Sequence, residues 1–434
     1  MENNSTENIE VDRLDKTEYK TYPYRWVVLG IFMFVGAMSQ VIWITFAGIT
    51  DESAGFYGVS NGLILLLSLM FMLAYIPFNF LACWAIDRFG LKWGTGIGVI
   101  IMGVFGFLRP VIPRNYGWLL FCTIMTAIGQ PFILNSFTKL AATWFPEKEK
   151  TLATGLGTMA MLLGVIITFL TAPMLLGADP NNPDPSTYRM NLTLYIFGGL
   201  MLLSMVLYLI FVKNKPPTPA NAYSDKSKVL ATQGTFSLFK NRDFTLLFLI
   251  LFIGLGVFNA ISSALDLIFE YPQGVDTPSY IAGVMIVGGI IGAIVFSTLS
   301  DKYQKRKIFI ILAMFGGAIF TPLLIFADLM FTQQIAIDVF RYIVSFFYGL
   351  LLVSALPVGL TFAAEITHPV PEETSNGFMM WIGQVCGVIL LGGMILTDKF
   401  NPGLMNISIY IMTGLFVIGI VLSFLMKDLD AYKL

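Results

Sequence analysis

The most regular feature of this sequence is a series of long apolar runs separated by short polar segments. An α-helix needs about 20 predominantly apolar residues to cross a bilayer, and the runs reach or approach that length. They cover residues 26–49, 59–83, 93–108, 116–144, 152–176, 192–212, 244–269, 280–299, 308–327, 335–363, 377–396 and 404–426. The pattern therefore predicts an all-α membrane protein with twelve transmembrane helices.

A hydrophilic segment divides this series after the sixth run. Residues 213–242 contain Pro216, Pro217 and Pro219 among Lys, Ser and Asp residues. Proline breaks helices, and such polar residues keep a segment in water. We interpret the segment as a linker between two six-helix bundles. The predicted organisation is a tail (1–25), an N-terminal bundle (26–212), the linker (213–242), a C-terminal bundle (243–426) and a second tail (427–434).

The composition agrees with a lipid environment. Of the 434 residues, 56% are hydrophobic and 12% are charged, whereas about a quarter are charged in soluble domains. A net charge of −1 gives no indication of a nucleic-acid partner. Cys83, Cys122 and Cys386 lie inside apolar runs and are interpreted as small buried hydrophobic residues. This balance argues against a soluble protein, because too few polar residues remain to cover a water-facing surface.

The basic residues are distributed unequally between the two sides of the predicted membrane. If alternate connections face the same side, 21 of the 26 lie on the side of the two termini. The positive-inside rule makes that side cytoplasmic. The opposite side receives Arg109, Arg114, Arg189, Arg341 and Lys399. We expect a multi-pass protein of the plasma membrane with both termini in the cytoplasm.

A short motif recurs in the two halves. AIDRFGLKWG (residues 85–94) follows the second run, and LSDKYQKRK (residues 299–307) follows the eighth. The repeat resembles the signature loop of the major facilitator superfamily, which implies two pseudo-symmetric bundles, a substrate site near the midplane and alternating access. The predicted gating residues, which would be paired when the cytoplasmic side is closed, are Asp87, Arg88, Lys92, Asp301 and Lys302. Lys305, Arg306 and Lys307 are alternatively simple positive-inside anchors.

Two further segments carry a closer resemblance. GQPFILNSFTKLAATWFPEKEKTLATGLG (residues 129–157) and AEITHPVPEETSNGFMMWIGQVCGVIL (residues 364–390) are similar to the feline leukaemia virus subgroup C receptor family. SQVIWITFAGI (residues 39–49) and residues 258–307 support the likeness. The resemblance implies transport of choline, ethanolamine or haem, with no enzymatic reaction.

The same resemblance implies a set of substrate-binding residues. Trp43 matches the aromatic residue of the first helix, and Gln130 and Gln384 match the glutamines of the fourth and eleventh helices. An indole face attracts a quaternary ammonium by about 2 kcal/mol when desolvated, and neutral amides orient a hydroxyl without trapping a charge. Alternatively, Trp43 packs or anchors its helix and the glutamines bond between helices. Tyr348, Tyr75 and Trp381 are weaker candidates for an aromatic wall, with packing in the core as their alternative.

Ionisable residues within the runs bear on energy coupling. Asp266 and Glu270 lie toward the outer end of the seventh run, and Glu365 lies at the inner end of the tenth. They are the candidates for proton coupling, although each is alternatively a helix cap or a rim residue in contact with water. Because none is central, we predict facilitative uniport driven by the membrane potential.

Several functional alternatives remain open at this point. The sequence contains no phosphate-binding Walker loop and no His/Cys cluster, so we expect no metal, no cofactor and no ATP-driven pump. The expected partners are a small organic cation and the lipid bilayer, and the expected state is a monomer. Haem or another organic solute, transported with or without protons, is the alternative substrate. A membrane receptor or sensor that binds a ligand without moving it is the alternative of another class.

Overall fold

The computed structural model describes residues 20–177, 187–218, 238–269, 277–367, 372–400 and 405–428. This part of the chain contains fourteen α-helices and a 3₁₀ turn at Leu238–Lys240. The helices are α1 (Tyr24–Ile44), α2 (Thr50–Tyr57), α3 (Asn61–Leu108), α4 (Tyr116–Leu134), α5 (Ser136–Trp144), α6 (Glu147–Leu176), α7 (Thr187–Phe211), α8 (Arg242–Phe269), α9 (Thr277–Tyr303), α10 (Lys307–Met330), α11 (Gln334–Leu352), α12 (Ala355–Thr367), α13 (Glu372–Phe400) and α14 (Met405–Leu425).

Helix α3 contains two of the twelve predicted spans. Its 48 residues would extend about 72 Å if the helix were straight, more than twice the hydrocarbon thickness of a bilayer. The helix is broken at Gly90, where φ is 79°, a value that glycine adopts without a steric penalty. The chain turns back there, and Gly94 consequently packs against Ile86: a Cβ atom added at Gly94 would lie 2.4 Å from the Cα atom of Ile86. The two arms of α3 are the second and third spans, so the prediction of twelve is confirmed.

The first span ends earlier than the apolar run that predicted it. The run extends to residue 49, but α1 ends at Ile44. The Thr45 hydroxyl donates to the carbonyl of Val41 at 2.6 Å, and the Arg109 guanidinium donates to the carbonyl of Ile42 at 2.9 Å. These two side chains satisfy carbonyl groups that lack a partner at the end of a helix. They therefore fix the end of α1 one residue after Trp43.

Two other predicted spans are each divided into two helices. The run at 116–144 is interrupted at Asn135, between α4 and α5, and the run at 335–363 is interrupted at Val353 and Ser354, between α11 and α12. Pro357 lies in the first turn of α12, where the absence of a backbone N–H costs no hydrogen bond. Both breaks preserve the direction of the span, so they change the local backbone and not the topology.

The helix pairs that pack together repeat in the two halves. In the N-terminal half α1 packs against α6 and α7, and α3 packs against α7; in the C-terminal half α8 packs against α13 and α14, and α10 packs against α14. Across the halves, α3 contacts α13 and α6 contacts α9. Exchange of the two halves converts the α3–α13 contact into the α6–α9 contact, and the reverse. The arrangement is therefore two pseudo-symmetric six-helix bundles.

The start and the end of each half lie at the same end of the molecule, which distinguishes this end from the opposite one. The Tyr24 hydroxyl, at the start of α1, donates to the carbonyl of Phe211 at the end of α7. The Lys427 N–H, after α14, donates to Asp243 at the start of α8. We call this end, which also carries Asp87, the basic end, and the opposite end the far end. The lateral surface between them exposes large apolar side chains, as a lipid-facing surface must.

Candidate functional site

The two halves are joined at the far end through the segment between α1 and α2. The backbone N–H of Thr50 donates to Oδ2 of Asp266 on α8 at 2.9 Å. The Ser279 hydroxyl on α9 donates to the carbonyl of Gly48 at 2.6 Å. The first backbone N–H groups of a helix have no partner within the helix, and Asp266 accepts one of them, so it caps α2 from the other half. We call these two contacts the far-end latch.

A cavity of about 1010 Å³ lies between the halves and reaches the basic end. Its ionisable lining residues are Lys150 in the first turn of α6, Asp301 near the end of α9 and Glu365 near the end of α12. All three lie toward the basic end of their helices. Deeper in the cavity, the described lining residues carry no ionisable group. The halves are thus joined at the far end, and the cavity between them opens toward the basic end.

The deep part of this cavity combines one indole with four neutral amides. Its wall includes Gln40 and Trp43 from α1, Gln130 from α4, Asn259 from α8 and Gln384 from α13. We call these five residues the amide pocket. The Asn259 amide donates to Oε1 of Gln384 at 3.4 Å. Such a pocket can bind a soft cation on the indole face and hydroxyl groups on the amides without a charged partner.

Trp43 occupies a position shared by the two halves. Trp43 packs against both large clusters of buried apolar residues, of which one lies in the N-terminal half and the other extends across the two halves. The indole N–H is buried and has no hydrogen-bond partner within the described ranges. Trp43 lies one residue before the end of α1. A ligand on this ring would therefore contact the end of α1, just before the segment that forms the far-end latch.

The three additional aromatic candidates lie outside the cavity lining. Trp381 donates its indole N–H to the carbonyl of Ile76 at 3.1 Å and so joins α13 to α3 across the halves. The Tyr75 hydroxyl donates to Asn135 at 3.1 Å, beside the break between α4 and α5. Tyr348 is fully buried in the core of the C-terminal half. The structure does not bring these three residues together with Trp43, Gln130 and Gln384 on the cavity wall.

The predicted gating residues of the N-terminal half are paired within that half. Asp87 accepts from the Lys139 ammonium at 3.3 Å. Lys92 ties the second arm of α3 to α7, since its ammonium donates to the carbonyl of Leu209 at 3.0 Å. Arg88 is exposed. None of these contacts crosses to the C-terminal half, in agreement with a cavity that reaches this end.

In the C-terminal half the repeat is organised around Arg306. Its guanidinium donates to Glu365 through Nε at 3.1 Å and through Nη2 at 2.7 Å, and it also pairs with Asp301. Arg306 is only 4% exposed, so the alternative of a simple surface anchor does not hold for this residue. Lys302 is exposed and lies over the ring of Tyr303.

The three candidates for proton coupling differ in where they lie and in what they contact. Asp266 is part of the far-end latch, and Glu365 is held by Arg306 in a bidentate ion pair. Glu270 lies outside the described residues. Both described carboxylates therefore have structural partners at opposite ends of the molecule.

Two residues of the amide pocket were missed in the sequence. Gln40 and Asn259 are 6% and 4% exposed and are the amides that α1 and α8 contribute to the pocket. An amide inside an apolar span is a usable signal, because its burial requires a partner or a polar cavity. The sequence does not reveal which face of the helix carries it.

Comparisons with known proteins agree with this architecture. The sequence family described as Major Facilitator Superfamily matches residues 28–370. The xylose transporter XylE of E. coli, solved in a partially occluded inward-open conformation, superposes with a TM-score of 0.75 at 12% identity and covers 94% of this chain and 99% of that one. A bacterial homologue of the lysosomal transporter Spinster, in an inward-facing conformation, gives 0.69 at 17% identity, with 94% and 98% covered. These likenesses concern the fold.

Curated relatives are similar over nearly the whole chain. The choline/ethanolamine transporter FLVCR1 of Felis catus is 30% identical over 420 residues, which cover 93% of this chain and 73% of that protein. The choline/ethanolamine transporter FLVCR2 of Homo sapiens is 27% identical over 438 residues, with 96% and 80% covered. An uncharacterised transporter of the same superfamily type from Caenorhabditis elegans is 31% identical, with 98% and 72% covered.

Proposed function

Because the chain belongs to the Major Facilitator Superfamily, we propose that it carries a choline- or ethanolamine-like cation across a membrane by alternating access. It is a multi-pass membrane transporter and not an enzyme. The relatives named for choline and ethanolamine transport support this substrate class. In the proposed cycle the two bundles rock about the pocket, so that it faces each side in turn.

The observation that carries this proposal is the chemistry of the amide pocket. Trp43 offers a π face, and Gln130 and Gln384 offer neutral hydrogen-bonding groups, while the described deep lining has no ionisable side chain. A permanent cation is attracted to an indole face by about 2 kcal/mol when desolvated. A carboxylate at the same place would hold the cation more tightly and slow its release. The pocket therefore suits a solute that must be bound and released in each cycle.

The orientation in the membrane follows from charge. We propose that the basic end faces the cytoplasm of the plasma membrane, because it carries most of the basic residues. The proposed units are the bundles 26–212 and 243–426, joined by the linker 213–242, of which only the two ends are described. In this orientation the cavity faces the cytoplasm.

Haem, the alternative substrate, finds no support in the pocket. Its propionates require basic partners and its iron requires an axial ligand. Arg109, the buried basic residue near the pocket, donates to the carbonyl of Ile42 and to the hydroxyls of Thr45 and Thr126. Its guanidinium is therefore already used to fix the end of α1.

The direct test is uptake by purified protein in proteoliposomes. Radiolabelled choline and ethanolamine should enter protein-containing vesicles, and haem should not. Vesicles without protein set the background. Specific binding of choline without any uptake would contradict the transporter and favour the receptor or sensor of the other class.

The repeated loops are proposed as a gate, and Asp87→Asn should change turnover more than affinity. The Asp87 side chain is 56% exposed, and such an ion pair contributes about 0–1 kcal/mol. A change of that size in a two-state equilibrium alters the populations by up to about fivefold. We expect a lower maximal rate, because the balance of the two states shifts. Equilibrium binding of choline and initial uptake rates, measured on the same preparation, separate the two effects.

Glu149→Gln is the matched control for this gate. Glu149 forms an ion pair with Arg25 at 3.0 Å, also at the basic end and within the N-terminal half, but outside the repeated motif. This variant should keep the wild-type rate. A large loss of binding in Asp87→Asn with an unchanged maximal rate would place Asp87 in the substrate site and contradict its role as a gate.

A further inference from the structure

The sequence resemblance assigns Gln384 on α13 to the site, but it does not assign Asn259 on α8, the hydrogen-bond partner of Gln384. Asn259 on α8 and Gln384 on α13 both line the cavity and share a hydrogen bond of 3.4 Å. This is longer than the usual 2.9–3.0 Å between an amide nitrogen and a carbonyl oxygen. A bond of that length is a weak connection between helices, yet it is short enough to orient both carboxamides.

The packing of α8 against α13 explains why these two side chains meet. A Cβ atom at Gly256 on α8 would lie 2.3 Å from the Cβ atom of Cys386, and one at Gly387 on α13 would lie 3.4 Å from the Cβ atom of Asn259. Glycine at these positions lets the two backbones approach closely. Asn259 is consequently 4% exposed and held in place, while its amide reaches Gln384.

The pair keeps hydrogen-bonding capacity that faces the cavity. Two carboxamides together carry four N–H donors and two carbonyl acceptors, and one donor and one acceptor are used between them. Neither side chain makes another hydrogen bond within the described ranges, and neither has a polar atom that is buried without a partner. Whichever way the two amides are turned, donors and an acceptor remain for a ligand.

Asn259 is the polar residue among the described α8 side chains that line the cavity. The other α8 residues that line the cavity are Leu255 and Phe258. The polar end of a substrate at this wall would therefore meet the Gln384 carboxamide, which Asn259 orients from α8.

We propose that Asn259 determines substrate selectivity by holding the Gln384 carboxamide toward the polar end of the substrate. Asn259 is a positioning residue in this scheme, and Trp43 binds the onium end. The substrate class is then an onium compound with a hydrogen-bonding group two or three bonds from the nitrogen. A bare alkylammonium of the same size is disfavoured, because it leaves the buried amide groups without partners. This inference rests on the proposed function and extends it.

The test compares choline with propyltrimethylammonium, in which a methyl group replaces the hydroxyl at nearly unchanged size. Wild-type protein should prefer choline. Asn259→Leu, which keeps the shape of the side chain, should reduce the ratio of the two values of kcat/KM by about tenfold, since an unpaired buried polar group costs about 1–3 kcal/mol. The maximal rate for propyltrimethylammonium should be retained, whereas a folding defect would lower the rates for both solutes equally.

A double-mutant cycle tests whether Asn259 acts on selectivity through Gln384. Gln384→Leu alone should change the ratio as Asn259→Leu does, and the double variant should change it no further. Asn259→Asp loses the N–H that Gln384 accepts, but it can accept from the Gln384 amide when that amide is turned, and it should restore preference for choline. Asn191→Leu, the same exchange on α7 outside the cavity lining, should behave as the wild type.

The outcomes separate this inference from the function on which it rests. Wild-type uptake of choline, with an unchanged ratio in Asn259→Leu, would overturn the role of Asn259 alone. Fully additive effects in the cycle would show that Asn259 acts without Gln384 and would overturn the positioning role. Absence of uptake of both solutes by the wild-type protein would overturn the proposed substrate class and this inference together.

Discussion

Replacement of Trp43 by alanine is expected to abolish uptake of choline, whereas Trp43→Phe and Trp43→Tyr should retain part of it. The indole face contributes about 2 kcal/mol to the binding of a desolvated cation, which is a factor of about 30 in affinity. Phenylalanine and tyrosine keep a weaker π face at the same place. The measurement is the initial rate of radiolabelled choline uptake over a range of concentrations, for protein with an unchanged melting temperature.

The surroundings of Trp43 make the aromatic replacements informative. Its indole N–H is buried without a hydrogen-bond partner within the described ranges, so Trp43→Phe loses no hydrogen bond and removes a donor that is costly to leave unpaired. A loss of activity in Trp43→Phe then reports on the π face. Trp84→Ala is the matched control, since Trp84 is 55% exposed on the lateral surface. Normal uptake by a folded Trp43→Ala protein would contradict the aromatic site.

The membrane spans could be predicted from the sequence because their cause is local. Twelve apolar runs require twelve crossings, and a polar linker with three prolines separates them into halves. The interruptions could not be predicted in the same way. The run that contains Trp43 continues to residue 49, but the helix ends at Ile44, where the distant Arg109 guanidinium acts together with the Thr45 hydroxyl. A break that depends on a distant side chain leaves no signal in the run itself.

The composition of the site was harder to predict for a related reason. In a soluble helix the apolar face marks the core, but in a membrane both the lipid and the core are apolar. Tyr348 and Gln384 therefore look alike in sequence, although one is enclosed in the core and the other lines the cavity. Trp43, Gln130 and Gln384 were identified by resemblance, and Asn259 required the packing of α8 against α13.

The second large effect concerns the driving force. In proteoliposomes, a potassium potential set by valinomycin, negative inside, is expected to accumulate choline without any other gradient. A potential of 100 mV contributes about 2.3 kcal/mol per charge, which corresponds to about 50-fold accumulation at equilibrium. A proton gradient at zero potential should give none. The measurement is the plateau of choline uptake under each condition.

The structural reason is the placement of the carboxylates that could couple protons. A coupled transporter needs an ionisable group that binds and releases a proton as the site alternates. Asp266 instead accepts the Thr50 N–H in the far-end latch, and Glu365 is engaged by Arg306 at the basic end. Neither residue belongs to the amide pocket. A solute with a permanent positive charge needs no such partner, because the potential itself drives its entry.

Variants of Asp266 separate its role in the latch from a role in coupling. The carbonyl oxygen of Asp266→Asn can still accept the Thr50 N–H, so this variant should accumulate choline under the potassium potential as the wild type does. Asp266→Leu has no acceptor, leaves the start of α2 without its cap and should slow transport while reaching the same plateau, because a catalyst of equilibration does not change the equilibrium. Accumulation driven by a proton gradient at zero potential, and lost in Asp266→Asn, would contradict uniport and identify Asp266 as the coupling residue. The plateau thus reports on the driving force and the rate reports on the latch.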